Sequence, residues 1–247
     1  MDELHLEALI LHIYYQSNQR AGYRMITDIL KFKHKQIVNH KKVYRIMKEH
    51  QLRSIIRKRF RNGILPAKGH LIKENILNRD FTASNPGEKF VTDITYIQTR
   101  EKTMYLSMVI DLFDNHPVAW KISDSQDMSL SIDPIRDLAE RYDLSKAIIH
   151  SDQGIHYRNK DYVELLEELA VTQSMSRKGN CWDNAAMESF FSQFKCECIY
   201  LMKKKIKSCQ DVVELTEEYI QYYPHERPQR KLGGVPPSFY RKMYLAG

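Results

Sequence analysis

The sequence predicts an α/β protein, a mixed sheet flanked by helices and preceded by an all-helical domain. Three observations carry this reading. Helical periodicity fills most of the first sixty residues, three β-rich runs follow closely after residue 89, and beyond residue 130 helical and strand patterns alternate. Of the 247 residues, 43% are hydrophobic and 28% charged, with only nine Gly and eight Pro. That composition excludes disordered and fibrous chains and leaves enough apolar side chain for a core.

Three helices are predicted before residue 60. Leu4, Ala8, Leu11 and Tyr15 recur at helical spacing in the first. Gly22 breaks the chain ahead of a second, with Met25, Ile26, Ile29 and Leu30. Asn39 offers a cap for a third, with Val43, Ile46 and Met47 inward. Lys41, Lys42, Arg45 and Lys48 ring the exposed surface of that third helix, and the basic tract RSIIRKRFR, with Arg57, Lys58 and Arg59, follows directly. This resembles a helix-turn-helix domain, residues 1–61, whose last helix enters the major groove of double-stranded DNA. Basic helices are commonly no more than solvated faces, so the charge distribution matters. Residues 1–80 hold 17 basic and 7 acidic side chains, whereas the remainder holds 21 and 24. A positive first third suits a polyanion.

Residues 62–85 lack periodicity, are punctuated by Gly63, Pro66 and Gly69, and read as a linker. A second domain with a C-terminal helical extension is expected over residues 86–247. Residues 90–98, 103–112 and 117–122 are rich in β-branched and aromatic side chains, and their close spacing implies antiparallel hairpins. A helix over 130–142, a strand at 147–150, a helix over 160–170, a strand at 171–175 and a long helix from Asn184 to about Tyr200 complete a five-stranded sheet.

Three acids stand where solubility does not ask for them. Asp93 interrupts the apolar strand VTDITY, Asp152 follows the strand AIIHS, and Glu188 lies in a helix beside Phe190 and Phe191. An ionised carboxylate among apolar neighbours is costly unless paired, hydrogen-bonded or bound to a metal. Three brought together would repel one another, so their convergence predicts a divalent cation. Fifty-eight residues separate the first two and 35 the second pair. Lys195 stands seven positions after Glu188, about 700° of helix, so the two share a face with Asn184.

The strings VTDITY, HSDQG, SRKGNCWDNAAMESFFSQFKCE and YYPHERPQRKLGGVPPSFY resemble bacterial insertion-sequence transposases of the "IS-three" kind, in the product of their second reading frame. AGYRMITDIL and VNHKKVYRIMKEHQL resemble the helix-turn-helix region of the same family, so the likeness covers nearly the whole chain. Phe90 and the pair Pro224–His225 depart from the family pattern without touching an acid. The resemblance implies a ribonuclease H-like core similar to retroviral integrase. It makes Asp93, Asp152 and Glu188 the metal-binding acids and Lys195 the basic residue of the catalytic helix. Mg²⁺ or Mn²⁺, two ions per site, would serve cleavage at element ends and transfer of the 3′-hydroxyl to a second phosphodiester. Two DNA ends imply a homodimer or larger assembly, and the family implies an upstream-frame partner. Competing readings are a catalytically silent DNA-binding repressor and a ribonuclease H-like nuclease without strand transfer.

Other polar residues are weaker candidates. Arg177 and Lys178, in a polar loop with Ser176 and Asn180, suit a DNA phosphate. His150 reads as a neighbour of the site or a satisfied strand-end histidine, Asp183 as a helix N-terminal acid, and Asp111 and Asp114 as turn formers. Four cysteines at unpaired spacings read as free thiols, and the acidic N-terminus with no long apolar run points to a cytoplasmic protein away from membranes.

Overall fold

The computed structural model describes residues 3–54 and 71–246. Three helices open the chain: α1 (Glu3–Gln16), α2 (Tyr23–Phe32) and α3 (His40–Glu49). Asn39 caps α3 as expected, its side chain accepting the Lys41 N–H at 2.9 Å. The buried stripe of α1 is Leu6, Ile10, Ile13 and Tyr14. The expected stripe was a different one, and Leu4 and Tyr15 on it are exposed. Both stripes are apolar, so α1 has little amphipathicity to choose between them; what decides is its packing against Ile26, Leu30, Val43 and Ile46.

The sheet has the order β3-β2-β1-β4-β5, built from β1 (Lys89–Gln98), β2 (Thr103–Asp111), β3 (His116–Ser123), β4 (Ile148–Ser151) and β5 (Thr172–Met175). The first three form the antiparallel meander; β1–β4 and β4–β5 are parallel. This is the mixed, helix-flanked ribonuclease H-like sheet that the sequence predicts. Helix α4 (Ser129–Ala139) packs on β2 and β3, and α5 (Lys160–Glu168) returns the chain to β5. Phe90 is fully buried, edge-to-face with Tyr142 at 5.7 Å, within a core that includes Val109, Ile135, Ile149 and Tyr162.

The expected long helix over residues 184–200 is three segments. A 3₁₀ turn (Cys181–Asn184) leads into α6 (Ala185–Phe194), and a π turn (Lys195–Ile199) follows. Regular α geometry therefore spans Glu188 to Phe194 and delivers Lys195 two turns on. Helix α7 (Cys209–Glu226) and α8 (Pro237–Leu245) end the chain. Among the described cysteines, Cys196, Cys198 and Cys209 are free thiols. No helix among the described residues is long and apolar enough to cross a membrane.

The chain divides into two compact units, Met1–Lys58 with Gln221–Gly247, and Arg59–Ile220. Within the first, Phe32 meets Phe239 edge-to-face at 4.7 Å and Lys33 pairs with Glu226 at 3.1 Å. These contacts join residues about two hundred positions apart, and no periodic pattern announces them. In the second unit, residues 74–77 of the expected linker are fastened to the sheet's edge. Glu74 C=O accepts the Met175 N–H at 3.1 Å, and the Ile76 and Leu77 N–H groups donate to Ser174 Oγ at 2.9 and 3.0 Å.

Phe90→Ala should remove a filled, fully buried ring at the centre of the sheet and cost about 3–5 kcal/mol. Urea denaturation followed by circular dichroism is expected to show a lowered midpoint with far-UV signal retained in water.

Candidate active site

Asp93 and Asp152 come from neighbouring parallel strands. The β1–β4 register pairs Lys89 with Ile148 and Val91 with His150. Continued by two residues, it sets Asp93 level with Asp152, on strands about 4.8 Å apart. Asp93 is partly buried, and its pKa lies well above the ordinary value of 3.8 because burial and the charge of Asp152 both oppose ionisation. Glu188 adds a smaller push. The Asp152 carboxyl is raised as well, chiefly by burial, with Gly154 N–H, Arg158 and His156 opposing the rise.

Each aspartate is held by a short local device. Asp93 Oδ1 accepts the Ile94 N–H at 2.8 Å, and Oδ2 accepts from Asn184 Nδ2 at 3.1 Å. Asn184 Oδ1 is buried with no hydrogen-bond partner. Asp152 Oδ1 accepts the Gly154 N–H at 2.7 Å. A Cβ on residue 154 would come within 2.8 Å of that oxygen, so only glycine lets the backbone approach so closely. The two aspartates face a cavity of about 180 Å³ whose wall includes Tyr96, Tyr105, Gln126 and His156.

Helix α6 brings the other two residues alongside. Glu188 lies on its first turn and is exposed, its pKa raised by partial burial of the carboxyl. Lys195 is partly buried, with Nζ 4.8 Å from the centre of the Tyr96 ring. Burial lowers its pKa while Asp93 pulls it back up. Among the described residues, no three His, Cys, Asp or Glu side chains are gathered closely enough to hold a metal ion as they stand. Glu188, on the solvent side, is the outlying acid.

Asp183 is the hub of the loop before α6. Its buried carboxylate accepts from Arg177 Nε (2.8 Å), Nη2 (2.9 Å) and backbone N–H (3.0 Å), Arg79 Nε (2.8 Å) and Asn75 Nδ2 (2.9 Å). The Arg177 hydrogen bonds hold its pKa far below the ordinary carboxylate range, with Arg79 helping against burial. The sequence suggests a helix N-terminal acid here; five donors make it a clasp joining residues 75–79 to the loop. Arg177 is thereby engaged, while Lys178 is exposed on the same loop.

His150 is fully buried and bonded at both ring nitrogens, to Ser174 Oγ (2.8 Å) and Ser176 Oγ (3.0 Å). Ser174 Oγ already accepts two backbone N–H groups, so its own proton goes to His150 Nδ1, and Nε2–H donates to Ser176. Burial pushes the imidazole pKa down to about 4, so the ring is neutral at pH 7. Asp111 and Asp114 are turn formers: Asp111 accepts from the Gly87 and Phe113 N–H groups, Asp114 from that of His116.

In the helical unit, Lys41, Arg45 and Lys48 are exposed and Lys42 is half-buried. Arg45 pairs with Glu3, and Lys42 lies 3.9 Å from the same carboxylate. Lys41 and Lys48 have no ion pair among the described residues. Arg57, Lys58 and Arg59 lie outside the described residues.

An HTH-like domain model matches residues 1–60, and integrase core domain models match residues 83–181 and 169–237. An uncharacterized transposase-like protein of Haemophilus influenzae is 41% identical over 208 residues, covering 84% of this chain and 95% of that protein. InsK of Escherichia coli, named as the transposase of insertion sequence element IS150, is 38% identical over 236 residues, covering 94% of this chain and 81% of its own length. The chain belongs to the insertion-sequence transposases. Its fold is shared with a chain in the cryo-EM structure of the simian T-cell lymphotropic virus intasome in complex with PP2A regulatory subunit B56 gamma, at TM-score 0.51 and 15% identity, covering 89% of this chain and 70% of that one. The transposase is thus an integrase-type enzyme of DNA transposition with an HTH-like domain for DNA.

Two expected outcomes follow for this transposase. The folded state binds the Asp93 proton more tightly than the unfolded chain, so stability falls as pH rises from about 4 into the elevated native range. Metal-free Asp93→Asn protein should lose less stability between pH about 4 and about 7, and a relief of about 1 kcal/mol would raise Tm by about 2–4 °C at neutral pH in scanning calorimetry. Gly154→Ala should displace the flexible Asp152 carboxylate rather than the backbone, lowering strand transfer about 10–100-fold with Tm nearly unchanged.

Proposed function

We propose that Asp93, Asp152 and Glu188 bind divalent cations and that this site cuts DNA at element ends and joins the exposed 3′-hydroxyl to a second phosphodiester. The observation that carries it is the pair of level, mutually repelling aspartates with an acid and a lysine on the helix beside them. The donor set suits hard cations: all three are carboxylates, and the buried Asn184 Oδ1 beside them lacks a partner. Glu188 is exposed, and its charge already acts on Asp93, so its carboxylate would complete the set by turning toward the two aspartates. When bound, two cations, Mg²⁺ or Mn²⁺, supply positive charge for the attacking and leaving oxygens of an in-line displacement at phosphorus.

The chain's own residues do the positioning. Asn184 Nδ2 and Ile94 N–H orient Asp93, Gly154 N–H orients Asp152, and the Tyr96 ring steadies Lys195 where its ammonium meets a DNA phosphate. Lys178 supplies a further cation on the neighbouring loop. Water as nucleophile nicks the strand; a DNA 3′-hydroxyl joins it. Lys41 and Lys48, with Lys42 and Arg45 through rearranged pairs and Arg57, Lys58 and Arg59 beyond them, contact DNA backbone or base edges. The protein acts in the bacterial cytoplasm, on the nucleoid, as a dimer or larger assembly with one site per element end and with an upstream-frame partner.

With Mn²⁺ and duplexes carrying the element's terminal repeat, the purified protein should nick and join strands. Asp152→Asn and Glu188→Gln should each lose at least about a hundredfold in both steps while retaining duplex binding. Unchanged activity in either variant would sink the assignment of the site, and nicking without joining would mark a nuclease.

A further inference from the structure

The loop ahead of α6 displays an indole that the fold does not use. Trp182 is 69% exposed, more than any other large hydrophobic side chain among the described residues of the core unit. An exposed apolar surface of that size forgoes the stabilisation that burial brings. Its backbone is nevertheless fixed: the next residue is Asp183 with its five donors, and the one after is Asn184, whose amide holds Asp93. The ring is thus a flat apolar face on a rigid mount, two residues from a group touching the paired aspartates.

Basic side chains stand close to it along the chain. Lys178 is exposed on the same loop beside Arg177, whose guanidinium is shared with Asp183, and both line a cavity of about 330 Å³ with Lys73, Gln153, Ile72 and Met175. Glu74 is the one acid on its wall. A nucleic-acid strand presents the matching chemistry, π-faces separated by phosphates. Bases inside a duplex hide their faces in the stack, so only an unpaired base can use this one.

We infer that Trp182 is a stacking platform for an unpaired DNA base beside the reacting phosphodiester, so that the enzyme engages a frayed or single-stranded end in preference to a closed one. This deepens the proposed function and rests on it.

The chain has two tryptophans, Trp120 and Trp182. In full-length Trp120→Phe protein the remaining indole reports the platform. Its emission should be quenched by a short duplex with a single-stranded 3′ tail and far less by the same duplex blunt. With wild-type protein, 2-aminopurine placed in the tail should lose fluorescence. By anisotropy with fluorescein-labelled duplexes, Trp182→Ala should weaken tailed-duplex binding about tenfold and leave blunt-duplex binding unchanged, while Trp182→Phe stays within about threefold of wild type. Saturating binding with indole and 2-aminopurine both unmoved, or equal quenching by the blunt duplex, overturns the platform and leaves the transposase site standing. An emission change that tracks protein concentration without DNA also overturns it, and assigns the face to a second copy of the chain. Failure to bind either duplex overturns both readings.

Discussion

Two carboxylates at one level on adjacent parallel strands are the constraint around which the core unit is organised. The charge of Asp152 makes Asp93 harder to ionise, and burial raises both carboxyls. Backbone N–H groups and the Asn184 amide fix their oxygens, and Arg158 and His156 favour the charged form of Asp152. The sheet order provides this, because placing β1 between β2 and β4 puts the middle of the first strand against the end of the fourth. A site that stores repulsion is ready for cations, and neutralising both acids at once is the largest electrostatic gain open to it.

A second polar system holds the approach to that site. Asp183 ties Asn75, Arg79 and Arg177 together, and the chain Ser174–His150–Ser176 runs beside it through a neutral imidazole. Both systems anchor the segment over residues 74–79 to the loop that introduces α6. The loop is irregular in secondary structure but tied down at Asp183, which is how a short 3₁₀ turn keeps Asn184 on Asp93.

Much of this was legible beforehand, for physical reasons. Alternating β-branched residues and short turns reveal the meander, and an acid in an apolar strand reveals Asp93, since burial makes that placement costly. The spacing from Glu188 to Lys195 held because α geometry persists to Phe194. Other features carry no local signal. The inward stripe of α1 was misread because the helix is apolar on both candidate faces. The role of Gly154 depends on an atom at hydrogen-bond distance, and Asp183 reads as an ordinary N-terminal acid until partners about a hundred residues away are folded onto it. The exposed position of Glu188 depends on how the helix packs against the sheet, which sequence spacing cannot report.

Two segments about two hundred residues apart share one compact unit. Residues 221–247 pack with the three N-terminal helices, Phe239 on Phe32 and Glu226 on Lys33. During synthesis those helices emerge before the core unit, and residues 221–247, which complete their unit, emerge after it. The unit that holds the three helices is therefore assembled only once the intervening integrase-core unit has had time to fold.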